Sequence, residues 1–255
     1  MSELVHTVTA GGITTLTLDS PANRNALSNQ LLGELGAGIE AARSDHDVRA
    51  LVLTATGTVF CSGADLSTPG SVTSAPVSLV DVLEMLSSFP KATMIVLNGH
   101  VRAGGIGLVA AVDLVAAPPQ ATFAFSEVRL GVSPAIISVL ATRVMAPRAV
   151  SRYMLSGEVF DAHAALEAGL ITLVSEEPAL GSLVKELVGA LSLGEPRAVL
   201  ETKALLRALP SLSITEGFAR AEVLSAELFA TEEAKAGIAA LRAKQPPPWA
   251  PSDAS

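Results

Sequence analysis

The 255-residue chain contains a single cysteine, Cys61, and few charged side chains. One cysteine cannot form an intramolecular disulfide, which excludes a disulfide-stabilised fold and predicts a reducing, cytoplasmic environment. Charged residues make up only 16% of the chain, and 17 basic side chains stand against 25 acidic ones, giving a net charge of −8. This acidic balance argues against nucleic acid or an anionic membrane surface as a partner.

The chain also lacks a long uninterrupted apolar run and a leader of recognisable type. Its mean hydropathy is +0.48, but Asp113 interrupts the richest apolar stretch, residues 106–117. No run approaches the roughly 18 apolar residues that a membrane-spanning helix needs. The first residues, Met1-Ser2-Glu3, carry no basic segment of the kind that opens a secretory signal peptide. We therefore expect a soluble protein that does not associate with membranes.

Two common kinds of catalytic site are not indicated. The four histidines lie far apart and none is spaced four residues from another: His6, His46, His100 and His163. This spacing predicts no metal site. There is no G-x-S-x-G motif, so the nucleophile of an α/β-hydrolase is not supported. Cys61 follows an apolar pair and is interpreted as a small buried residue rather than a nucleophile.

Hydrophobic periodicity predicts an α/β fold followed by a helical region. Residues 4–9 and 13–18 alternate around Gly11-Gly12, which is typical of a β-hairpin. Residues 27–42 have helical spacing, with Ser28 as the N-cap. Four short β-branched runs predict strands at 48–54, 93–97, 113–117 and 170–174. Later helical patterns cover 183–191, 197–206, 215–228 and 232–241. We expect an α/β core over residues 1–195 and a helical region with its tail over 196–255, with a loop at 67–78.

The stretch from Gly105 to Ala110 matches the G-x-G-x-x-A pattern of dinucleotide-binding folds. That motif needs a strand that ends at the first glycine, then a full helix and a second strand. The preceding predicted strand ends at Leu97, about seven residues early, and the next begins near Asp113. The spacing therefore argues against a nicotinamide cofactor.

Glycine pairs can instead expose backbone N–H groups to a ligand. Gly104 and Gly105 precede an apolar helical run, so their N–H groups would lie at a helix N-terminus and point at an anion or a polarised oxygen. The segment 60–66, after the strand 48–54, offers a comparable turn around Gly63. Two such N–H groups that converge would form an oxyanion hole. Taken singly, each site is better explained as a tight turn.

Together these residues resemble the crotonase superfamily, the enoyl-CoA hydratases and isomerases, from about Thr9 to Lys244. The matching segments occur in family order at 18–21, 25–27, 60–66, 98–105, 113, 125–127, 130–131, 160–162 and 168–170. The resemblance implies an α/β spiral of repeated ββα turns with a C-terminal helical region that trimerises. It also implies an acyl-CoA thioester as substrate, a homotrimer or a dimer of trimers as the assembly, and no cofactor beyond the coenzyme A of the substrate.

The resemblance assigns roles to particular positions. The N–H groups of Ala64 and Gly104 would bind the thioester oxygen, and Glu127 would be the catalytic carboxylate. The hydratases of the family use a second glutamate, whose position is Gly107 here. We predict hydration of a 2-enoyl-CoA, with 3,2-enoyl-CoA isomerisation by the single glutamate as the alternative. A third reading is a non-catalytic protein that binds acyl-CoA.

The resemblance also implies a binding environment for the substrate, and several of its members have simpler explanations. The residues expected to contact substrate or coenzyme A are Arg24, Ala26, Ala64, Asp65, Leu66, Gly104 and Gly105. Arg24, Lys91 and Lys244 are candidates for the phosphates, although each could be a solvated charge. Arg102 could bind an acyl carboxylate, bridge subunits or be a surface charge. Glu127 could pair with Arg129 on an exposed turn.

Overall fold

The computed structural model describes residues 2–65, 76–176 and 179–250. Leu66 and most of the predicted loop at 67–78 lie outside these residues. Within them the strands are β1 (Val5–Ala10), β2 (Ile13–Leu18), β3 (Ala50–Ala55), β4 (Val59–Cys61), β5 (Ala92–Val96), β6 (His100–Arg102), β7 (Leu114–Ala117), β8 (Thr122–Ala124), β9 (Phe160–Asp161) and β10 (Leu173–Val174). The helices are α1 (Asn29–Ser44), α2 (Leu79–Ser87), α3 (Gly104–Ala111), α4 (Ala135–Val144), α5 (Pro147–Ser156), α6 (Ala162–Glu167), α7 (Ala179–Ser192), α8 (Pro196–Ala208), α9 (Ile214–Phe229) and α10 (Glu232–Ala243). The mixed α/β class predicted from the sequence is confirmed.

The larger sheet has six strands in the order β1-β2-β3-β5-β7-β10. β1 and β2 form the predicted antiparallel hairpin, and the pairs from β2 onward are parallel. Its central strand β3 is covered on both faces. Leu51 and Leu53 belong to the main core, whereas Val52 packs with Leu180 and Val188 of α7. Burial on both faces explains why β3 is a continuous apolar run rather than an alternating one.

The smaller sheet has four strands in the order β4-β6-β8-β9. β4, β6 and β8 are parallel, with Cys61 opposite Val101 and Arg102 opposite Ala124. These strands contain two or three residues each, too few for hydrophobic periodicity to reveal. Sequence analysis therefore missed all four, although it found the strands of the larger sheet. It also overextended the last strand, which the structure restricts to Leu173–Val174, and it missed α2, α4, α5 and α6.

Helix α3 is the buried centre of the fold, because all eight of its residues are buried. It packs against α2 and α4 and contacts the smaller sheet. Helix α1 begins where predicted, since the side chain of Ser28 accepts a hydrogen bond from the N–H of Leu31. Helix α1 connects β2 to β3 and helix α3 connects β6 to β7, and both begin near the strand ends at which the candidate site lies.

The C-terminal helices α8, α9 and α10 match the predicted helical region. Helix α8 is tied to the sheet by the buried Lys203, whose Nζ lies 2.6 Å from Asp113 Oδ2 and 2.7 Å from the carbonyl oxygen of Lys91. Helix α10 has no buried residue and α9 buries only Gly217. The division at residue 195 stays a prediction. In the part of the chain that the structure covers, no helix combines the length and the apolar character needed to cross a bilayer.

Candidate active site

Three neighbouring strands of the smaller sheet lead into the candidate catalytic residues. β4 is followed by Gly63 and Ala64, β6 by Gly104, and β8 by Glu127. Because β4, β6 and β8 are parallel neighbours, their carboxyl ends meet at one edge of the sheet. Ligands of α/β proteins commonly bind beyond the carboxyl ends of parallel strands. The fold therefore brings three segments, far apart in sequence, to one edge.

The turn that contains Gly63 is held by the loop of residues 20–28. Asn25 is fully buried, and its Nδ2 donates to the carbonyl oxygens of Thr56 at 3.1 Å and Val59 at 2.8 Å. Its Oδ1 accepts from the N–H of Ser20 at 2.7 Å. Asn25 has a left-handed backbone, with φ of 52°, which asparagine tolerates better than most residues. Its side chain thus fixes the loop against β4.

This loop also forms one wall of the candidate site. The N–H of Leu27 donates to the carbonyl oxygen of Gly63 at 2.8 Å, and the N–H of Ser62 donates to that of Arg24 at 3.1 Å. Ala26 is buried beside them, while the Arg24 side chain is exposed. Arg24 and Ala26 therefore lie next to the Gly63 turn, and their role in binding stays a prediction.

The Gly63 turn and the start of α3 are in direct contact. A Cβ built on Gly63 would lie 2.8 Å from the Cβ of Ala103 and 3.5 Å from the nitrogen of Gly104. Gly63 also has φ of +95°, a conformation that glycine adopts without strain. A Cβ on Gly105 would lie 2.8 Å from the Cβ of Cys61. Glycine is therefore required here by close backbone approach as well as by turn geometry.

The N–H groups of Ala64 and Gly104 are the two backbone donors expected to form an oxyanion hole. Gly104 is the first residue of α3, where an N–H group has no acceptor within its own helix. Neither N–H donates to an acceptor in the described part of the chain. Ala103, which precedes α3, has φ of 47° and ψ of −121°, a strained conformation for alanine. Two free donors thus lie in adjoining turns, one of them set by a strained residue.

Cys61 lies behind these turns rather than in the site. It is fully buried, and its Sγ accepts from the N–H of Gly63 at 3.4 Å. Burial raises the pKa of its thiol to about 12, which keeps the thiol protonated and unreactive. The interpretation of Cys61 as a small buried residue is consistent with this position.

Glu127 lies in a short 3-10 helix, Ser126–Leu130, directly after β8. Its side chain is half-buried, and its Oε2 is buried with no hydrogen-bond partner among the described residues. Burial raises the pKa of this carboxyl above its ordinary value. No ion pair joins Glu127 to Arg129 in the part of the chain described, since the Arg129 Nε donates to the carbonyl oxygen of Ser156 instead. The alternative of a solvent-exposed Glu127–Arg129 pair is therefore wrong.

The space beside Gly107 is filled by apolar side chains. A Cβ built on Gly107 would lie 2.7 Å from Ile137 Cγ2 and 3.2 and 3.3 Å from the two Cδ atoms of Leu83. A Cβ on Gly104 would likewise lie 2.9 Å from Leu27 Cδ1 and 3.2 Å from Leu79 Cδ2. Helices α2 and α4 therefore close over α3 at Gly107, where the resemblance places a second glutamate. A longer side chain at residue 107 would have to displace Leu83 or Ile137.

The remaining predicted residues differ in position. Asp65 follows Ala64 directly, and Leu66 lies outside the described residues. The Lys91 ammonium binds the carbonyl oxygens of Ala42 and Asp45 at the end of α1. Because Lys91 precedes β5, it lies at the opposite end of the strands and not beside the Gly63 turn. Lys244 is an exposed residue at the end of α10.

Arg102 points away from α3. Side chains alternate along β6, so Arg102 lies on the face opposite the fully buried Val101. Its guanidinium donates to the carbonyl oxygen and hydroxyl of Thr122 on β8. No three histidine, cysteine or acidic side chains in the described ranges lie close enough together to hold a metal ion.

The expectation that no strand ends at the glycines of the G-x-G-x-x-A segment is wrong. A strand does end just before the glycines, because β6 runs to Arg102. However, α3 has only eight residues before Val112, and β7 starts at Leu114. The limited room for a helix, rather than the distance to the preceding strand, distinguishes this segment from the dinucleotide motif.

Several residues that shape the site were missed by sequence analysis. Asn25 could have been noticed as an asparagine in a Pro-Ala-Asn-Arg-Asn turn, since such residues favour left-handed backbone. The strained Ala103 and the contact of Ile137 with Gly107 leave no signal in the sequence. They depend on how α2, α3 and α4 pack.

Comparisons with known proteins show the family to which the chain belongs. The family model described as enoyl-CoA hydratase/isomerase matches residues 9–252. The 2,3-dehydroadipyl-CoA hydratase of Escherichia coli is 30% identical over 91% of this chain and 92% of its own length. A crystal structure of an enoyl-CoA hydratase from Shewanella pealeana matches with a TM-score of 0.89 at 29% identity, covering 96% of each chain. One from Mycobacterium avium is 40% identical with a TM-score of 0.75, covering 98% of this chain and all of that one. The chain belongs to the enoyl-CoA hydratase/isomerase family, within the crotonase superfamily.

Proposed function

We propose that this chain is an enzyme that adds water to a 2-enoyl-CoA thioester. The observation that carries the proposal is a buried carboxylate oxygen of Glu127 that has no hydrogen-bond partner among the residues the structure describes. Glu127 follows a strand adjacent to the one that leads to Gly104. A buried polar atom without a partner costs about 1–3 kcal/mol. Such a cost is expected where the group acts on a ligand.

In this proposal the thioester oxygen accepts hydrogen bonds from the N–H groups of Ala64 and Gly104. These bonds stabilise the negative charge that gathers on the oxygen as the enolate forms. Glu127 takes a proton from water as the water oxygen bonds to C3, and the electron pair of the double bond moves toward the thioester oxygen. The protonated Glu127 then returns its proton to C2. The raised pKa of Glu127 suits a group that must act as both base and acid.

Isomerisation is the second candidate, and the apolar wall beside Gly107 favours it. Leu83 and Ile137 occupy the position from which a second carboxylate would orient water. A single carboxylate suffices to move a double bond. Glu127 would take a proton from C2 of a 3-enoyl-CoA and return it to C4, while the same two N–H groups stabilise the enolate.

Turnover assays separate these functions. We expect the enzyme to hydrate crotonyl-CoA, and Glu127→Gln to lower kcat by about 10²–10⁴-fold with little change in KM. Glu158→Gln is the matched control, because Glu158 pairs with Arg152 on the surface, and it should keep full activity. If the enzyme converts a 3-enoyl-CoA but does not hydrate crotonyl-CoA, isomerisation is its function and the hydration proposal is wrong. Tight acyl-CoA binding without any turnover would favour the non-catalytic reading.

The proposed binding environment extends from the catalytic groups toward the surface. Ala26 and Gly105 flank the two free N–H groups, and Asp65 and Leu66 continue the chain beyond Ala64. The backbone carbonyl oxygen of Arg24 accepts a hydrogen bond from the N–H of Ser62, so Arg24 lies beside the Gly63 turn. Its side chain is exposed there and is the proposed contact for a coenzyme A phosphate. Lys91 is not proposed as a phosphate contact, because its ammonium binds carbonyl oxygens at the end of α1. Coenzyme A enters as part of the substrate, and the chemistry needs no further cofactor.

We also propose that the chain assembles as a homotrimer or a dimer of trimers in the cytoplasm. Large apolar side chains are exposed on the C-terminal helices, including Ile214 (81%), Phe218 (73%) and Phe229 (69%). Exposed apolar surface of this kind is characteristic of interfaces between proteins. Sedimentation equilibrium should give a mass of three or six chains, and a monomer at micromolar concentration would contradict the proposal.

A further inference from the structure

One face of α3 leads away from the Gly104 N–H and is covered by α2. Gly104 and Gly107 are three residues apart in the helix, so they share this face and lie about 4.5 Å apart along its axis. Leu79 Cδ2 lies 3.2 Å from a Cβ built on Gly104, and the Cδ atoms of Leu83 lie 3.2 and 3.3 Å from one built on Gly107. A chain of carbon atoms that starts at the Gly104 N–H and follows α3 therefore meets Leu83.

A groove lies between α2 and α4, on the other side of Leu83. Its volume is about 390 Å³, and its lining is mainly apolar: Val80, Leu83, Ile136, Val139 and Leu140. Val80, Ile136 and Val139 are exposed, so the groove opens to solvent. Pockets for small molecules typically have volumes of about 300–1,000 Å³ and apolar linings. The groove is therefore large and apolar enough to hold part of an alkyl chain.

Leu83 separates the groove from the candidate active site. Its Cδ atoms approach Gly107 on one side, and the same side chain lines the groove on the other. Leu83 is only 4% exposed, so it fills the boundary between the two spaces. Ile137 also contacts Gly107, but it is not among the described residues that line the groove. Because Gly107 has no side chain, the length of the side chain at residue 83 determines whether the two spaces connect.

We propose that Leu83 is a specificity-determining residue that restricts the substrate to short acyl chains. The 4.5 Å from Gly104 to Gly107 corresponds to about four single C–C bonds in a zigzag chain, so an acyl group of about four or five carbons ends at Leu83. A longer chain reaches the groove only when the side chain at residue 83 is shortened. The proposal rests on the proposed binding of an acyl-CoA thioester at Ala64 and Gly104, and it does not depend on the reaction that follows.

Isothermal titration calorimetry with saturated acyl-CoA esters tests the proposal without turnover. We expect the wild-type protein to bind octanoyl-CoA and butyryl-CoA with similar affinity, because the additional methylenes find no enclosed space. Leu83→Ala and Leu83→Val both remove the two Cδ atoms that approach Gly107. In these variants octanoyl-CoA should bind at least about tenfold more tightly than butyryl-CoA, because the additional methylenes leave water for the groove.

Two further variants separate this role from a general effect on packing. Leu86→Val is the matched control, since Leu86 is fully buried on the same helix but belongs neither to the described lining of the groove nor to the side chains nearest to Gly107. It should keep the wild-type ratio of the two affinities. Val139→Trp places a large side chain in the groove, and in the Leu83→Val background it should abolish the tighter binding of octanoyl-CoA.

Tighter octanoyl-CoA binding by the Leu83 variants, reversed by Val139→Trp, supports the proposal. If Leu83→Ala does not fold, the more conservative Leu83→Val decides alone. An unchanged ratio of affinities in Leu83→Val, a gain that Val139→Trp does not reverse, or a wild-type protein that already prefers octanoyl-CoA overturns it. If the wild-type protein binds no acyl-CoA, this proposal and the proposed function both fail. If residue 83 changes the chain-length preference of a protein that converts no enoyl-CoA, only the proposed function fails.

Discussion

Replacement of Gly63 by alanine should damage the site more than the fold. An alanine at φ of +95° costs about 1–2 kcal/mol on conformational grounds. The added Cβ would also lie 2.8 Å from the Cβ of Ala103, whereas relaxed carbon contacts are about 3.5–4.0 Å apart. The two turns must therefore separate by roughly 1 Å, and overpacking of this kind adds about 1–3 kcal/mol. We expect a total loss of about 2–5 kcal/mol in the free energy of unfolding.

The effect of Gly63→Ala on catalysis should be larger, because the separated turns carry the two proposed oxyanion donors. A misplacement of about 1 Å typically costs about 100-fold in rate. Gly11→Ala is the matched control, since Gly11 also has positive φ, +55°, but nothing lies within 4 Å of its built Cβ. Urea unfolding and crotonyl-CoA hydration would be measured for both variants. If Gly63→Ala keeps kcat within twofold of Gly11→Ala, the contact between the turns does not position the donors.

Three further predictions concern packing, an ion pair and pH. In urea unfolding, Gly107→Ala should destabilise the protein by about 1–3 kcal/mol and Ile137→Ala by about 2–4 kcal/mol. The double variant should lose at least about 1 kcal/mol less than the sum of the two, because Ile137→Ala removes the Cγ2 atom with which the new Cβ clashes. Strict additivity of the two losses would show that residues 107 and 137 are not in contact. Lys203→Met removes the ion pair between α8 and Asp113 and should cost about 2–3 kcal/mol in the free energy of unfolding, while Lys235→Met in an exposed pair should change it little. Equal losses of stability would show that burial of the Lys203 pair is unimportant. The pKa of Glu127 is raised in the folded state, so the folded protein binds the carboxyl proton more tightly than the unfolded chain does. The contribution of this proton to the free energy of unfolding is complete below the pKa of the unfolded chain and is lost as pH rises through the folded pKa. Glu127→Gln should therefore be more stable than the wild type at pH 7, and thermal unfolding should show this difference in stability narrowing toward acid pH. A less stable variant at pH 7 would mean that the carboxylate has a structural partner.

The sequence predicts those parts of the fold in which a local pattern repeats several times. The hairpin around Gly11, helix α1 with Ser28 as its cap, and the amphipathic C-terminal helices all contain enough residues to express a period. The smaller sheet does not, because β9 has two residues and β4, β6 and β8 have three each. Yet this sheet positions the candidate site. Hydrophobic periodicity was therefore least informative for the strands that position the candidate site.

The site itself was accessible to sequence reasoning at the level of residue type. Glycine at 63, 104 and 105 indicated exposed backbone donors, and their contact in the structure agrees with that hypothesis. The sequence could not reveal the surroundings of the Glu127 side chain or of Gly107. Whether Glu127 pairs with Arg129 or is buried without a partner depends on β8 and on residues far along the chain, as does the closure of α2 and α4 over Gly107.

A crystal structure with a bound, unreactive acyl-CoA analogue tests the central claim most directly. The account predicts that the thioester oxygen lies about 2.7–3.1 Å from the backbone nitrogens of both Ala64 and Gly104, with the Glu127 carboxyl facing C2 and C3. A thioester oxygen bonded to only one of these nitrogens, or an acyl group bound away from this edge of the smaller sheet, would contradict it.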